Sequence, residues 1–264
     1  MRILFIGDVV GSVGRKALKY CLPILKDKYK PTVIIVNGEN AAGGKGITPA
    51  IVKEMLAQGV HGITLGNHTW DNKEVFDIID DEPRLIRPAN FPEGTPGLGY
   101  TVIKAGSAEV ALINLQGRTF LPPLDCPFRK VDDILDELNK KYKYIFVDMH
   151  AEATSEKIAM GWYLDGRVSA VVGTHTHVQT HDEQVLPRGT AYVTDVGMVG
   201  SREGVLGMER AAVLKRFLTG LPSRFIADEG KWMLHGVCID LNPQSGRAQN
   251  ISLVRMYEND VIFD

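Results

Sequence analysis

The sequence predicts an α/β fold, and three observations predict it. Short apolar runs alternate with amphipathic stretches, as strands alternate with helices. The chain has 264 residues with 44% hydrophobic and 23% charged content, enough to bury a sizeable core in one domain spanning 1–264. Its loops carry clustered proline and glycine rather than the Ser/Gly repeats of a flexible linker.

In chain order, the apolar runs place strands at Arg2–Ile6, Thr32–Val36, Gly62–Leu65, Tyr100–Lys104, Val110–Asn114, Tyr144–Asp148 and Val168–Val172. Helical periodicity places helices at Gly14–Lys28, Pro49–Gln58, Lys73–Ile79, Val131–Lys140, Ser155–Met160 and Met208–Leu218. Pro49 suits a first helical turn, where its missing N–H costs nothing. Trp232–Asp240 and Ala248–Met256 flank a turn at Asn242–Gly246 and read as an antiparallel hairpin. Asp81–Gly99 and Leu121–Pro127, rich in proline, read as loops.

The net charge of −2 gives no sign of a nucleic-acid or membrane surface, so a small substrate is expected, with no stable nucleic-acid partner and no membrane. Cys21, Cys126 and Cys238 lie far apart with no zinc-type spacing and read as reduced thiols. The opening run MRILFIG stops at Asp8, too short for a signal core or a span, and a cytoplasmic location is expected.

The polar residues fall where strands end. Asp8 follows the first strand, Glu39 and Asn40 the second, Asn67 and His68 the third; His150 follows Tyr144–Asp148, and His175 and His177 follow Val168–Val172. In a largely parallel sheet those ends share one edge, where α/β folds place ligands. Taken singly, Asp8 reads equally as a helix cap, Asn67 as a turn former and His150 as a hydrogen-bonded core histidine. His175 and His177, at i and i+2 of an extended segment, point the same way and form a metal-ligand pair. Carboxylate, amide and imidazole together suit Fe, Mn or Zn better than Ca. Two cations about 3.5–4 Å apart need a bridging carboxylate and generate a hydroxide between them. Glu39 is the natural bridge. His181, four residues past His177, reads as surface or supporting. Arg118, just past a strand end in Gln116-Gly117-Arg118, is the candidate phosphate contact, with a surface arginine as the plainer reading.

Gly7-Asp8, Gly38-Glu39-Asn40, Gly66-Asn67-His68, Met149-His150 and Gly173-Thr174-His175-Thr176-His177 resemble, in order and spacing, the motifs of the calcineurin-like metallophosphoesterases. The departures form a pattern of their own: Val10 stands where a histidine ligand is usual, and Glu39 stands where aspartate is usual. With Asn37-Gly38-Glu39-Asn40, Gly66–Trp70 and Thr194–Met198, they are similar to the bacterial YmdB-like subfamily from end to end. That resemblance implies a four-layer αββα sandwich with mixed sheets, a homo-oligomer, and hydrolysis of 2′,3′-cyclic nucleotides at the 2′ bond. It implies two metal ions, Fe or Mn foremost with Zn or Mg as alternatives. One would take Asp8, Glu39, Asn40 and His177, the other Glu39, Asn67, His150 and His175, and His68 would be the general acid. The other activities weighed are a general phosphodiesterase or phosphomonoesterase of this fold, and a metal-containing regulator that works by binding partners. A dinucleotide-binding loop at Gly7–Gly14 fits poorly, because the spacing is not G-x-G-x-x-G and Asp8 would face a pyrophosphate.

Overall fold

The computed structural model describes residues 1–138 and 141–259. Fourteen strands and five helices run, among these residues, as β1 (Arg2–Ile6), β2 (Asp8–Val9), α1 (Gly11–Tyr29), β3 (Val33–Asn37), α2 (Pro49–Ala57), β4 (Gly62–Thr64), β5 (Leu85–Ile86), β6 (Tyr100–Ala105), β7 (Ala108–Gln116) and α3 (Pro127–Leu138). They continue with β8 (Tyr144–His150), α4 (Thr154–Leu164), β9 (Ala170–Thr174), β10 (Gln184–Val185), β11 (Ala191–Val193), β12 (Met198–Ser201), α5 (Arg210–Thr219), β13 (Trp232–Leu241) and β14 (Ala248–Tyr257).

The strands form two mixed sheets. In the first, β1, β3, β4 and β5 are parallel, and β13 runs antiparallel to β1, β12 and β14. In the second, β7, β8, β9 and β11 are parallel, with β6 and β10 antiparallel at the edges. Alternate residues of each strand serve opposite faces, so each sheet feeds two cores. Ile3, Phe5, Val33 and Ile35 meet Val110, Leu112, Phe146 and Val172 between the sheets, and the Phe5 and Phe146 rings stack at 5.3 Å. Leu4, Ile6, Ile34 and Val36 face Leu18, Leu22, Val52 and Met55 of α1 and α2. Ile113, Ile145, Val147 and Val171 face Val131, Leu135, Met160 and Leu164 of α3 and α4. The result is helix, sheet, sheet, helix, as the resemblance implies.

The expected single sheet edge is corrected: β1, β3 and β4 belong to one sheet, β8 and β9 to the other. Two stacked sheets supply the strand ends, because the central core aligns them face to face. Lys73–Asp77 is a 3-10 turn capped by Asn72 rather than an α-helix reaching Ile79. Helix α1 begins three residues before Gly14, because that glycine does not break the helix. It lets the helix approach β12, where a Cβ would collide with the Val199 carbonyl. Helix α3 starts early, at Pro127, and its expected end at Lys140 lies outside the described residues. Strand β12 went unpredicted because its four residues, Met198–Ser201, are too short a run to carry a strand signal until β13 pairs with them. Cys21 and Cys238 are buried and Cys126 is half-buried, all unpaired. No described helix is long and apolar enough to cross a membrane.

His235 in β13 is buried against Tyr257 of β14, ring centroids 6.0 Å apart. Its Nδ1 has no hydrogen-bond partner. Burial, then the Arg255 charge, push its pKa down from 6.5 to about 4. The unfolded chain therefore takes up this proton first as pH falls. The neutral ring's contribution is complete above pH 6.5 and is lost between 6.5 and about 4. Wild type should lose on the order of 3 kcal/mol more stability than His235→Phe across that window. Urea midpoints at pH 7 and pH 4.5 check this, and equal losses in both proteins would remove His235 from the effect.

Candidate metal centre

Parallel strands from both sheets end side by side, and each delivers a polar residue into water-poor surroundings. Asp8, Glu39, Asn40 and His150 are each 2% exposed or less. His150, the last residue of β8, forms the hub. Its Nε2 lies 2.9 Å from Asn67 Oδ1, 3.1 Å from Glu39 Oε1 and 3.1 Å from His175 Nδ1. One ring nitrogen cannot satisfy three neighbours by hydrogen bonding. Donors roughly 2.1 Å from a shared ion in an octahedral shell stand about 3 Å apart, so the crowding matches a ligand set. Glu39, His150 and His175 form the one such acidic/imidazole cluster among the described residues.

Each imidazole is anchored through its other nitrogen. Thr174 Oγ1 donates to Asp148 Oδ1 at 2.7 Å and so accepts from His150 Nδ1 at 2.9 Å. His177 Nδ1 donates to the Leu206 carbonyl at 3.1 Å, and His175 Nε2 lies 2.9 Å from the Glu152 carboxylate. In every case the anchored nitrogen holds a proton, so the opposite one is the nitrogen that can turn a lone pair towards an ion, the arrangement a metal-binding histidine needs. The loop bearing His175 and His177 is not extended, which corrects the i, i+2 argument: both residues have positive φ, 98° and 63°. Asp195 holds that loop, accepting from Thr176 N at 3.1 Å and Thr176 Oγ1 at 2.7 Å. Lys157, fully buried, pairs with the same carboxylate at 2.6 Å.

The electrostatics ask for a cation. Asp8 Oδ1 and Asn40 Oδ1 are buried without a hydrogen bond, and Glu39 Oε1 meets only the crowded His150 Nε2 at 3.1 Å. Burial raises the Asp8 carboxyl well above its usual range, and the Glu39, Asp195 and Asp148 charges add to this. Burial works against the charged forms of Glu39 and His150 too, but their mutual attraction wins. Glu39 falls to about 2 and His150 rises to about 9. Burial, then the His150 charge, lowers His175 to about 3. Until a cation binds, His150 is thus the positive charge that the carboxylates gather around. The orphaned oxygens and inward lone pairs together fit transition-metal ions.

His68 lies on the cavity side of the cluster. Its backbone N–H donates to Glu39 Oε2 at 3.0 Å, and its Nδ1 lies 2.9 Å from Asp71 Oδ2. Glu39, Asn40, His68, His175 and His177 line one side of a cavity of about 840 Å³. Arg118 does not line it: its backbone N–H donates to Glu156, and its guanidinium reaches Cys126 Sγ at 3.5 Å. His181 is exposed beside Glu183. Sequence reasoning missed Asp71, Asp148, Thr174, Lys157 and Asp195. Asp71 could have been found three residues after His68, and Asp195 inside the Thr194–Met198 stretch.

The family described as YmdB-like protein matches residues 4–254. The chain belongs to this YmdB-like family. It is 60% identical, over the full length of both chains, to a 2′,3′-cyclic-nucleotide 2′-phosphodiesterase of Bacillus subtilis. The crystal structure of a phosphatase from Mycoplasma pneumoniae superposes with a TM-score of 0.92 at 33% identity, covering 98% of this chain and 94% of that one. A calcineurin-like phosphoesterase of Bacillus subtilis shares the fold, with a TM-score of 0.54 at 12% identity over 97% of this chain and 90% of that one. The Gly66-Asn67-His68 motif has a steric basis in this structure. A Cβ at Gly66 would collide with Glu39 Oε2 and His150 Nε2, so glycine is what lets three strand ends converge. Gly66→Ala should keep the circular-dichroism spectrum but lower metal affinity by more than about tenfold, at least the scale of a lost supporting contact. Metal analysis after dialysis checks it; wild-type metal content in the variant would show that the close approach is not needed.

Proposed function

We propose that this protein is a metal-dependent phosphodiesterase that opens 2′,3′-cyclic nucleotides at the 2′ bond and leaves a 3′-phosphate. The observation that carries the reading is the crowding of carboxylate, amide and imidazole donors around His150 Nε2. The substrate class follows the full-length relative at 60% identity. Asp8, Glu39, Asn40 and His177 would hold one ion, and Glu39, Asn67, His150 and His175 the other, with Fe or Mn best suited to this mixed donor set. When bound, such ions polarise a phosphoryl group and make water nucleophilic at neutral pH. The unpaired thiols suit a reducing compartment, and a cytoplasmic setting is part of the reading.

The chain's own residues do the rest. Asp8 and Glu39 concentrate negative charge that draws cations and then offsets them. Glu39 also fixes His68 through its backbone N–H. Asp71 holds His68 Nδ1, which leaves Nε2 to carry a proton to the departing ribose 2′ oxygen. Without that proton the leaving group would be an alkoxide, a poor one at neutral pH.

Metal-loaded protein should convert 2′,3′-cyclic nucleotides to 3′-monophosphates and lose this activity on chelation. Chromatography of the products decides it: intact cyclic esters alongside cleaved monoesters would favour a phosphomonoesterase instead. His68→Ala should keep its metal but lose roughly two to four powers of ten in turnover on nucleotides. The loss should shrink sharply for nitrophenyl esters, whose leaving group needs no proton. Equal losses on both substrates would mean that His68 is not the acid.

A further inference from the structure

Besides its polar residues, the cavity has an apolar lining. It includes Leu206, Met208, Val213, Phe217 and Phe225, together with Arg216. Helix α5 buries only Val213. The segment after it is tied back by the Glu209 N–H to the Ile226 carbonyl at 2.9 Å and by the Met208–Ala227 bridge. Those ties hold Phe225 beside the cavity, with the Arg216 guanidinium carbon 5.4 Å from its ring centroid. Phe217, one residue along α5 from Arg216, is 81% exposed. Arg216 has no carboxylate partner among the described residues, so its planar face is not committed to an ion pair.

A cyclic phosphate and its ribose use hydrogen bonds and charge, which the polar side supplies. Neither needs two phenyl rings and a guanidinium plane. A nucleobase does, since every base has a π-face that stacks on aromatic rings and on arginine. We propose that Phe225, backed by Arg216, and Phe217 at the rim form a nucleobase-stacking wall for the ribonucleotide whose phosphate sits at the metal centre. This inference rests on the phosphodiesterase reading. Stacking reads no base edges, so the wall accepts all four bases. The base comes from a free cyclic mononucleotide or from the 3′ end of an RNA, and the wall's chemistry is the same for both.

The test uses the full-length, metal-loaded protein and three substrates: adenosine 2′,3′-cyclic phosphate, base-free ribose 2′,3′-cyclic phosphate, and a short oligoribonucleotide ending in a 2′,3′-cyclic phosphate. Phe225→Ala should raise KM for the adenosine ester by roughly tenfold or more, the span of a lost base–aromatic stack, with little change in kcat. KM for the base-free ester should barely move, and Phe225→Tyr should restore the nucleotide KM because it keeps the ring. A lower KM for the oligoribonucleotide than for the mononucleotide, lost in Phe217→Ala, assigns the rim to RNA ends; equal values assign the wall to free nucleotides. An equal rise in KM with and without the base overturns the proposal. So does a changed sedimentation coefficient in Phe225→Ala with unchanged KM, since the rings would then cover a second copy of the chain. Calorimetric binding of adenosine 3′-monophosphate, which needs no turnover, separates the two readings. If wild type cleaves no cyclic ester but Phe225→Ala still weakens this binding, the hydrolytic reading fails and the wall stands.

Discussion

Two buried carboxylates that need positive charge are the constraint on which the rest depends. Asp8 and Glu39 are removed from water; Asp8 Oδ1 has no hydrogen bond, and Glu39 Oε1 meets only His150 Nε2. An uncompensated buried charge is among the costliest features a fold can carry, so such groups either take up a proton or gather cations. Burial drives Asp8 towards the protonated form, while His150 takes a proton and holds Glu39 ionised. A metal ion bound there would replace that proton with a stronger and better-shared charge, which would couple occupancy of the site to its protonation.

The architecture around the carboxylates turns that demand into geometry. The Phe5–Phe146 stack fixes one sheet over the other, so that β1, β3 and β4 end beside β8 and β9. A layer of supporting groups then decides which nitrogen of each imidazole faces inward. Asp148 acts through Thr174 on His150, Glu152 on His175 and the Leu206 carbonyl on His177. Lys157 pairs with Asp195 in the interior, and Asp195 holds a loop whose two histidines adopt left-handed backbone conformations. Strained backbone persists only where its surroundings over-determine it, and here the Asp195 contacts do so.

The cavity divides its labour by polarity. Its metal-facing side gathers charge and proton-carrying groups, which suits a phosphodiester and its leaving oxygen. Its far side is apolar and aromatic, which suits the part of a nucleotide that takes no part in the reaction. Binding energy from such a remote group can position the reacting phosphate, a use that enzymes make of non-reacting substrate parts.

Much of this was legible in the sequence, and the reason is periodicity. Strand β1 and the β13–β14 hairpin fall where apolar runs place them, and most helices are within a few residues, because local burial patterns fix local structure. Asp8, Glu39, Asn40, Asn67, His150, His175 and His177 could be named as candidates because strand ends are readable and chance does not fill so many of them with ligand-type residues. Tertiary structure decided the remainder. Apolar periodicity alone could not reveal that two sheets rather than one supply those ends, since strand pairing is non-local; the family resemblance carried the two-sheet expectation. It placed Arg118 near a strand end, but the guanidinium reaches Cys126 instead. Asp148, Thr174, Lys157 and Asp195 act through contacts between elements far apart in the chain, and no local pattern marks a side chain whose partner lies tens of residues away. The sequence by itself determined which residues could bind metal; only the packing of sheet on sheet decided which lone pairs meet.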